Sequence, residues 1–163
     1  MTKVLALMLV LGLASGASAA LTLVGAPTQP IGIGETAAIT VHNSQDGAYD
    51  GWLKIEDESI AKFDKAPEFM AAGNPAGGST MALFQDNGDW YQFMVASTNP
   101  SQPVVAGDHI LVSVIGVAEG TTRLNLYAPN GLDIIRSADI SVIPEPATIA
   151  LLGLGALCLR RRK

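Results

Sequence analysis

The sequence predicts an all-β fold, an antiparallel β-sandwich spanning residues 20–143 and flanked by an apolar helix at either end. Three observations predict it. Short segments alternate apolar and polar residues with the period of two that a half-buried strand requires. Gly, Pro, Asn and Asp punctuate those segments at fairly even spacing, the signature of turns between short strands. Between the flanks only Ser59–Met70 carries helix-like patterning, and Pro67 limits it, because proline lacks the N–H a helix interior needs.

The elements follow in order. Leu21–Val24 opens the fold, and the Pro27–Pro30 region turns the chain. Gly34-Glu35 leads into Thr36–His42, where Ile39 and Val41 alternate with polar neighbours. Asn43-Ser44-Gln45-Asp46-Gly47 is a turn signal, its Asp-Gly suited to positive φ. Trp52–Glu56 alternates again. Residues 71–78, rich in Ala and Gly, read as an irregular loop. Ser79–Gln85 and Trp90–Ala96 flank Asp86-Asn87-Gly88-Asp89 and predict a hairpin. His109–Val117 and Thr121–Tyr127 flank Ala118-Glu119-Gly120 and predict a second one. Ile134–Val142 closes the domain.

The flanks carry addresses rather than fold. Lys3 precedes an apolar stretch from Val4 to Leu13, and the small residues Ala14–Ala20 follow with Ala17-Ser18-Ala19 as a cleavage site. Residues 1–19 therefore read as a signal peptide, too short in its apolar part for the roughly 20 residues of a span. At the other end Pro144-Glu145-Pro146 precedes an apolar run, Ala147–Leu159, and the basic tail Arg160-Arg161-Arg162-Lys163. Prolines keep the first step extended and accessible. The run is short for a transmembrane helix but inserts with local thinning and snorkelling, the basic tail staying cytoplasmic.

This tail, residues 144–163, resembles the PEP-CTERM sorting signal in its Pro-Glu-Pro step, its Leu/Gly/Ala-rich helix with Gly153 and Gly155, and its terminal arginines. The resemblance implies export, anchoring through the C-terminal helix, recognition by an exosortase, and release to the cell surface or an extracellular matrix beside extracellular polysaccharide; signal peptidase would act at the N-terminus. A second resemblance covers the domain. Gly34-Glu35-Thr36, the stretch Gly51–Ile60, and the segments Gly107–Val114 and Gly120–Leu126 look like strands of cohesin-type and related Ig-like modules. It implies a jelly-roll sandwich that binds partner modules or serves in adhesion. Fold analogy alone does not supply the function.

Stripped of its flanks, the domain keeps five basic residues against fourteen acidic ones, a net charge of about −9. That excludes nucleic acid as the expected partner, since its binders need a basic footprint. The single cysteine, Cys158, lies in the tail, so the domain has no thiol for a disulfide, a metal or a nucleophile.

Chemistry-bearing motifs are sparse, and no catalytic residue is assigned. His42 and His109 each sit within strand patterning, with no Gly-x-Ser-x-Gly elbow and no ligand spacing for zinc. No cofactor is expected. Asp86 and Asp89 are weak metal candidates, for calcium, although local turn bonding explains them more simply. The acids Asp46, Asp50, Glu56, Asp57 and Glu58 gather around Tyr49 and Trp52. Trp52, Trp90 and Tyr91, with Tyr127, are candidates for stacking on sugar rings; Trp90 and Tyr91, adjacent in a strand, point to opposite faces. The expected function is a non-enzymatic surface or matrix module for adhesion or structure. A carbohydrate-binding module on extracellular polysaccharide is the alternative, and a small secreted hydrolase using the acidic clusters the third.

Overall fold

A computed structural model of the chain describes residues 21–70, 80–99, 101 and 103–144. All regular structure among them is β. Eleven strands form: β1 Leu21–Val24, β2 Ile31–Gly32, β3 Thr36–Asn43, β4 Tyr49–Ile55, β5 Ala61–Phe63, β6 Glu68–Phe69, β7 Thr80–Asp86, β8 Trp90–Ser97, β9 Gly107–Gly116, β10 Gly120–Tyr127 and β11 Ile134–Ile143. The described residues include no helix long and apolar enough to cross a membrane. The predicted signal-peptide and transmembrane helices and the predicted loop 71–78 lie outside the described residues.

Two sheets face one another. One runs β1-β3-β9-β5 with β6 also on β9; the other runs β2-β11-β10-β4-β8-β7. Pairing is antiparallel except for β2, which lies parallel to β11. The alternation read from the sequence becomes the core. Ile39 and Val41 of β3 and Ile110, Val112 and Val114 of β9 meet Leu53 and Ile55 of β4, Phe93 and Val95 of β8, Leu124 and Leu126 of β10, and Ile140 and Val142 of β11. All are buried, and burial at about 25 cal/mol per Å2 of apolar surface holds the sheets together. Residues 31–35 lace the sheets at one edge: Ile31 registers with Val142, while Gly34 N donates to Gly116 O at 2.9 Å and Gly116 N donates to Glu35 O at 3.0 Å.

The Asp86–Asp89 hairpin forms as predicted, with Gly88 at φ 93° and unbroken register from Thr80↔Ser97 to Asp86↔Tyr91. The second predicted hairpin does not form. β9 and β10 lie in different sheets and face each other across the core. Val117 N and Ala118 N both donate to Ile60 O, at 2.8 and 3.1 Å, so the connection is tied to the β4–β5 crossover instead of closing on itself. Ser59–Met70 is not helical. Asp57 caps a single turn through Ser59 N, and Ala61–Phe63 and Glu68–Phe69 then pair with β9.

Candidate functional site

The outer face of the six-stranded sheet carries the aromatic cluster. On β4 the residues alternate between buried Gly51, Leu53 and Ile55 and half-buried Asp50, Trp52 and Lys54. On β8 Trp90, Gln92 and Met94 face out while Tyr91, Phe93 and Val95 face the core. The register sets Trp52 opposite Gln92, Lys54 opposite Trp90, and Tyr127 opposite Trp52. Trp52 and Trp90 are therefore diagonal neighbours, and their rings overlap at a centroid separation of 3.9 Å with planes 34° apart. With Lys54, Tyr127 and Gly131 they line an open groove of about 320 Å3.

The turn between β10 and β11 fixes one wall. Ala128 N donates to Asp133 O at 2.8 Å, Gly131 N donates to Ala128 O at 2.8 Å, and Asn130 Oδ1 accepts from Leu132 N and Asp133 N. Pro129 O accepts from Trp52 Nε1 at 3.1 Å, locking the indole. Gly131, at φ 68°, lies against the same ring: a Cβ there would stand 3.5 Å from Cε2. Trp52 is thus held by the turn and by Trp90. Beside the rings, Lys54 Nζ pairs with Asp89 Oδ2 at 2.9 Å. That hydrogen bond raises the lysine pKa and holds the Asp89 carboxyl below its usual range. Both side chains stay about half exposed, so an ammonium and a carboxylate border the aromatic groove.

The other candidates scatter. Tyr91 is separated from the tryptophans by the sheet itself: it lies on the core side, edge-on to Phe63 at 5.0 Å, and its hydroxyl donates to Asp86 Oδ2 at 3.2 Å. Burial raises its pKa. Asp86 Oδ1 accepts from Gly88 N at 2.9 Å, so Asp86 and Asp89 serve a turn and an ion pair respectively. Among the described residues no three His, Cys, Asp or Glu side chains group to hold a metal. The acidic residues are spread as well. Asp46 Oδ1 accepts from Ala106 N, Glu56 Oε1 from Asn125 Nδ2, and Asp57 Oδ1 from Ser59 N and Oγ. Asp50 lies on the outer face, where partial burial raises its pKa.

The two histidines are far apart in sequence, and the pairing of β3 with β9 brings them together. His42 registers with Asp108, and its Nδ1 lies 2.8 Å from Asp108 Oδ1 at the surface. His109, next along β9 at a register shift, points inward and is 1 % exposed. Its Nδ1 lies 3.0 Å from the Tyr49 hydroxyl, and its Nε2 has no partner. Burial lowers its pKa, the nearby Asp108 charge opposing and His42 adding to the effect. Burial, reinforced by Asp108, also pushes the Tyr49 hydroxyl above its ordinary range. No sequence signal marks this pair, because it arises from the register of β3 on β9. Pro144 follows β11 directly; Glu145, Pro146 and Arg160–Lys163 lie outside the described residues.

Comparison with known proteins gives a match to the tail and a likeness to the fold. Residues 142–163 match the PEP-CTERM protein-sorting motif. No curated protein matches the sequence. The fold is similar to the cohesin module of a family 33 glycoside hydrolase from Clostridium perfringens, with TM-score 0.54 and 11 % identity over 78 % of this chain and 100 % of that one. It is similar to a chain of a type II cohesin–X–dockerin complex from Acetivibrio cellulolyticus, with TM-score 0.51 and 13 % identity over 76 % and 93 %. It is also similar to a chain of a type I cohesin–dockerin complex from Clostridium thermocellum, with TM-score 0.50 and 8 % identity over 76 % and 97 %. At such identities the likeness shows the fold, a cohesin-like β-sandwich.

Proposed function

We propose that the chain is an exported cell-surface or extracellular-matrix protein whose β-sandwich is a non-enzymatic module for adhesion or structure. The observation that carries this reading is the direct join between fold and address. The sorting-motif match begins at Val142, inside β11, and β11 ends at Ile143, one residue before the Pro-Glu-Pro step. A cut in that step by an exosortase releases the whole sandwich, with no linker left over. Before the cut, the apolar run holds the module at the membrane; signal peptidase would already have removed the leader. Two of the similar structures are cohesin–dockerin complexes, which supports a binding role for this fold. The test is to replace Pro144, Glu145 and Pro146 with alanine in a host that has an exosortase and follow the mass of the mature protein. Unchanged processing overturns the reading.

A second reading is favoured by the Trp52–Trp90 groove. A stacked indole pair with one ring anchored, beside a Lys–Asp pair, is chemistry for a polysaccharide: flat π faces take the apolar faces of sugar rings, and charged groups grip hydroxyls. Affinity electrophoresis in gels containing purified extracellular polysaccharide tests it. Retardation of the parent chain, lost in Trp90→Ala with the fold intact, supports it; equal mobility with and without polysaccharide overturns it.

A further inference from the structure

The residues of the aromatic groove continue across the sheet as a row. Gln85 of β7 registers with Gln92 of β8, Gln92 with Trp52 of β4, and Trp52 with Tyr127 of β10. Side chains in register share a face, so these four form one line on the outer face, perpendicular to the strands. Three inter-strand steps of roughly 4.8 Å make that line about 14 Å long. Trp90 leans diagonally onto Trp52 at 3.9 Å and brings a second indole into it. Beyond the aromatic groove the line crosses a second depression of about 260 Å3, lined by Leu83, Gln85, Gln92 and Met94 with Phe84 and Phe93.

Charge decides what suits this line. None of its members is ionisable to a cation or an acid at neutral pH. Asp50 and Lys54 stand two residues to either side of Trp52 on the same face, and Lys54 already pairs with Asp89 at 2.9 Å. The domain around them carries about −9. An acidic glycan would approach a negative surface and find the ammonium of the groove taken, whereas an uncharged one meets no repulsion.

We propose that an uncharged glycan chain lies across the strands along Gln85, Gln92, Trp52 and Tyr127, an inference that rests on the polysaccharide reading of the groove. Trp90 and Tyr127 offer ring faces to the apolar faces of sugars, and Trp52, held by Pro129 O and Gly131, positions Trp90. The carboxamides of Gln92 and Gln85 each carry two N–H donors and an acceptor oxygen, the complement of sugar hydroxyls that both give and take hydrogen bonds. Gln85 Nε2 donates to Asn87 Oδ1 at 3.0 Å, which orients that carboxamide. A line of about 14 Å exceeds one sugar ring, so the occupant is a chain and not a free monosaccharide.

The test runs the full chain in neutral detergent through native gels holding the host's extracellular polysaccharide, divided by anion exchange into an uncharged and an acidic fraction. Retardation is expected in the uncharged fraction and not in the acidic one. Gln92→Ala is expected to weaken that association roughly three- to tenfold, with an unchanged circular dichroism spectrum, through the loss of one or two hydrogen bonds. Gln92→Glu, which keeps the shape and withdraws the donors, is expected to weaken it as well. Thr121→Ala, on β10 but off the line, is expected to bind as the parent does. Retardation by the acidic fraction, alone or equally, overturns the proposal and leaves the polysaccharide reading standing. So does binding that Trp90→Ala abolishes and both Gln92 variants leave untouched. Free mobility in both fractions overturns the reading and the proposal together.

Discussion

Trp52 and Trp90 stack at 3.9 Å although neither is the other's partner across the strands; Trp52 registers with Gln92 and Trp90 with Lys54. Diagonal pairing leaves one indole anchored and the other outermost. Trp52 has its Nε1 bonded to Pro129 O and its ring against Gly131, whereas Trp90 has only its neighbour and the sheet. The two should therefore separate stability from binding. Trp52→Ala is expected to cost about 2–3 kcal/mol, read as a fall in the urea midpoint at unchanged slope, since it removes a half-buried ring, its stacking partner and a hydrogen bond. Trp90→Ala is expected to cost about 1–2 kcal/mol on the same scale.

Gly131 tests whether the groove is preorganised by the turn. Its φ of 68° is strained for any side chain, while the space itself admits a Cβ at ordinary contact distance from the indole. Gly131→Ala is expected to destabilise by about 1–2 kcal/mol through backbone strain alone. The accompanying readout is the near-ultraviolet circular dichroism of the stacked indoles, which weakens when Trp52 loses its fixed position. An unchanged spectrum with unchanged stability would show that the turn does not hold the ring.

Lys54 and Asp89 should matter to the groove and little to the fold. The pair is about half exposed, and exposed pairs contribute little to stability. Lys54→Met is expected to leave the urea midpoint nearly unchanged. Freed of its ammonium partner, Asp89 titrates at a higher pH than in the parent, because the hydrogen bond from Lys54 is the largest cause of its depressed pKa. Carboxylate chemical shifts followed through an acid titration check the direction.

Much of this architecture was legible because local chemistry and global fold agree. Asn87-Gly88 both marks a turn and makes one, and the alternation of Thr36–His42 is the alternation of β3. The errors share a cause. Period-two patterning says which face of a strand is buried, but it is identical for strands side by side in one sheet and strands opposed across a sandwich. His109–Val117 and Thr121–Tyr127 therefore read as neighbours, whereas the connection between them bonds to Ile60 O and the strands lie in opposite sheets. Ser59–Met70 is too short and too broken by Pro67 to show its strands, whose partner, β9, lies about fifty residues on. The site was legible residue by residue, not as an assembly. That Trp90 and Tyr91 face opposite ways follows from alternation, yet which one faces out and joins Trp52 depends on the register of β4 against β8.

His109 makes the fold sensitive to acid. Its ring is buried against Tyr49, Phe69 and the core, and burial is the main reason its pKa lies below the ordinary 6.5. In the unfolded chain the imidazole takes up a proton near pH 6.5; in the fold it resists until lower pH. Between those values the unfolded state binds more protons, so stability falls as pH drops, by up to about 1.4 kcal/mol per pH unit for one group. Above the unfolded value both states are neutral and the contribution is flat. Below the folded value both are charged and the loss stops growing. Urea midpoints of the parent are expected to drop between about pH 7 and pH 5. His109→Gln keeps a polar partner for the Tyr49 hydroxyl and removes the titration, so its midpoints should fall less over the same range. If both proteins lose stability in parallel, the acid sensitivity belongs to other groups, and the buried histidine plays no part in it.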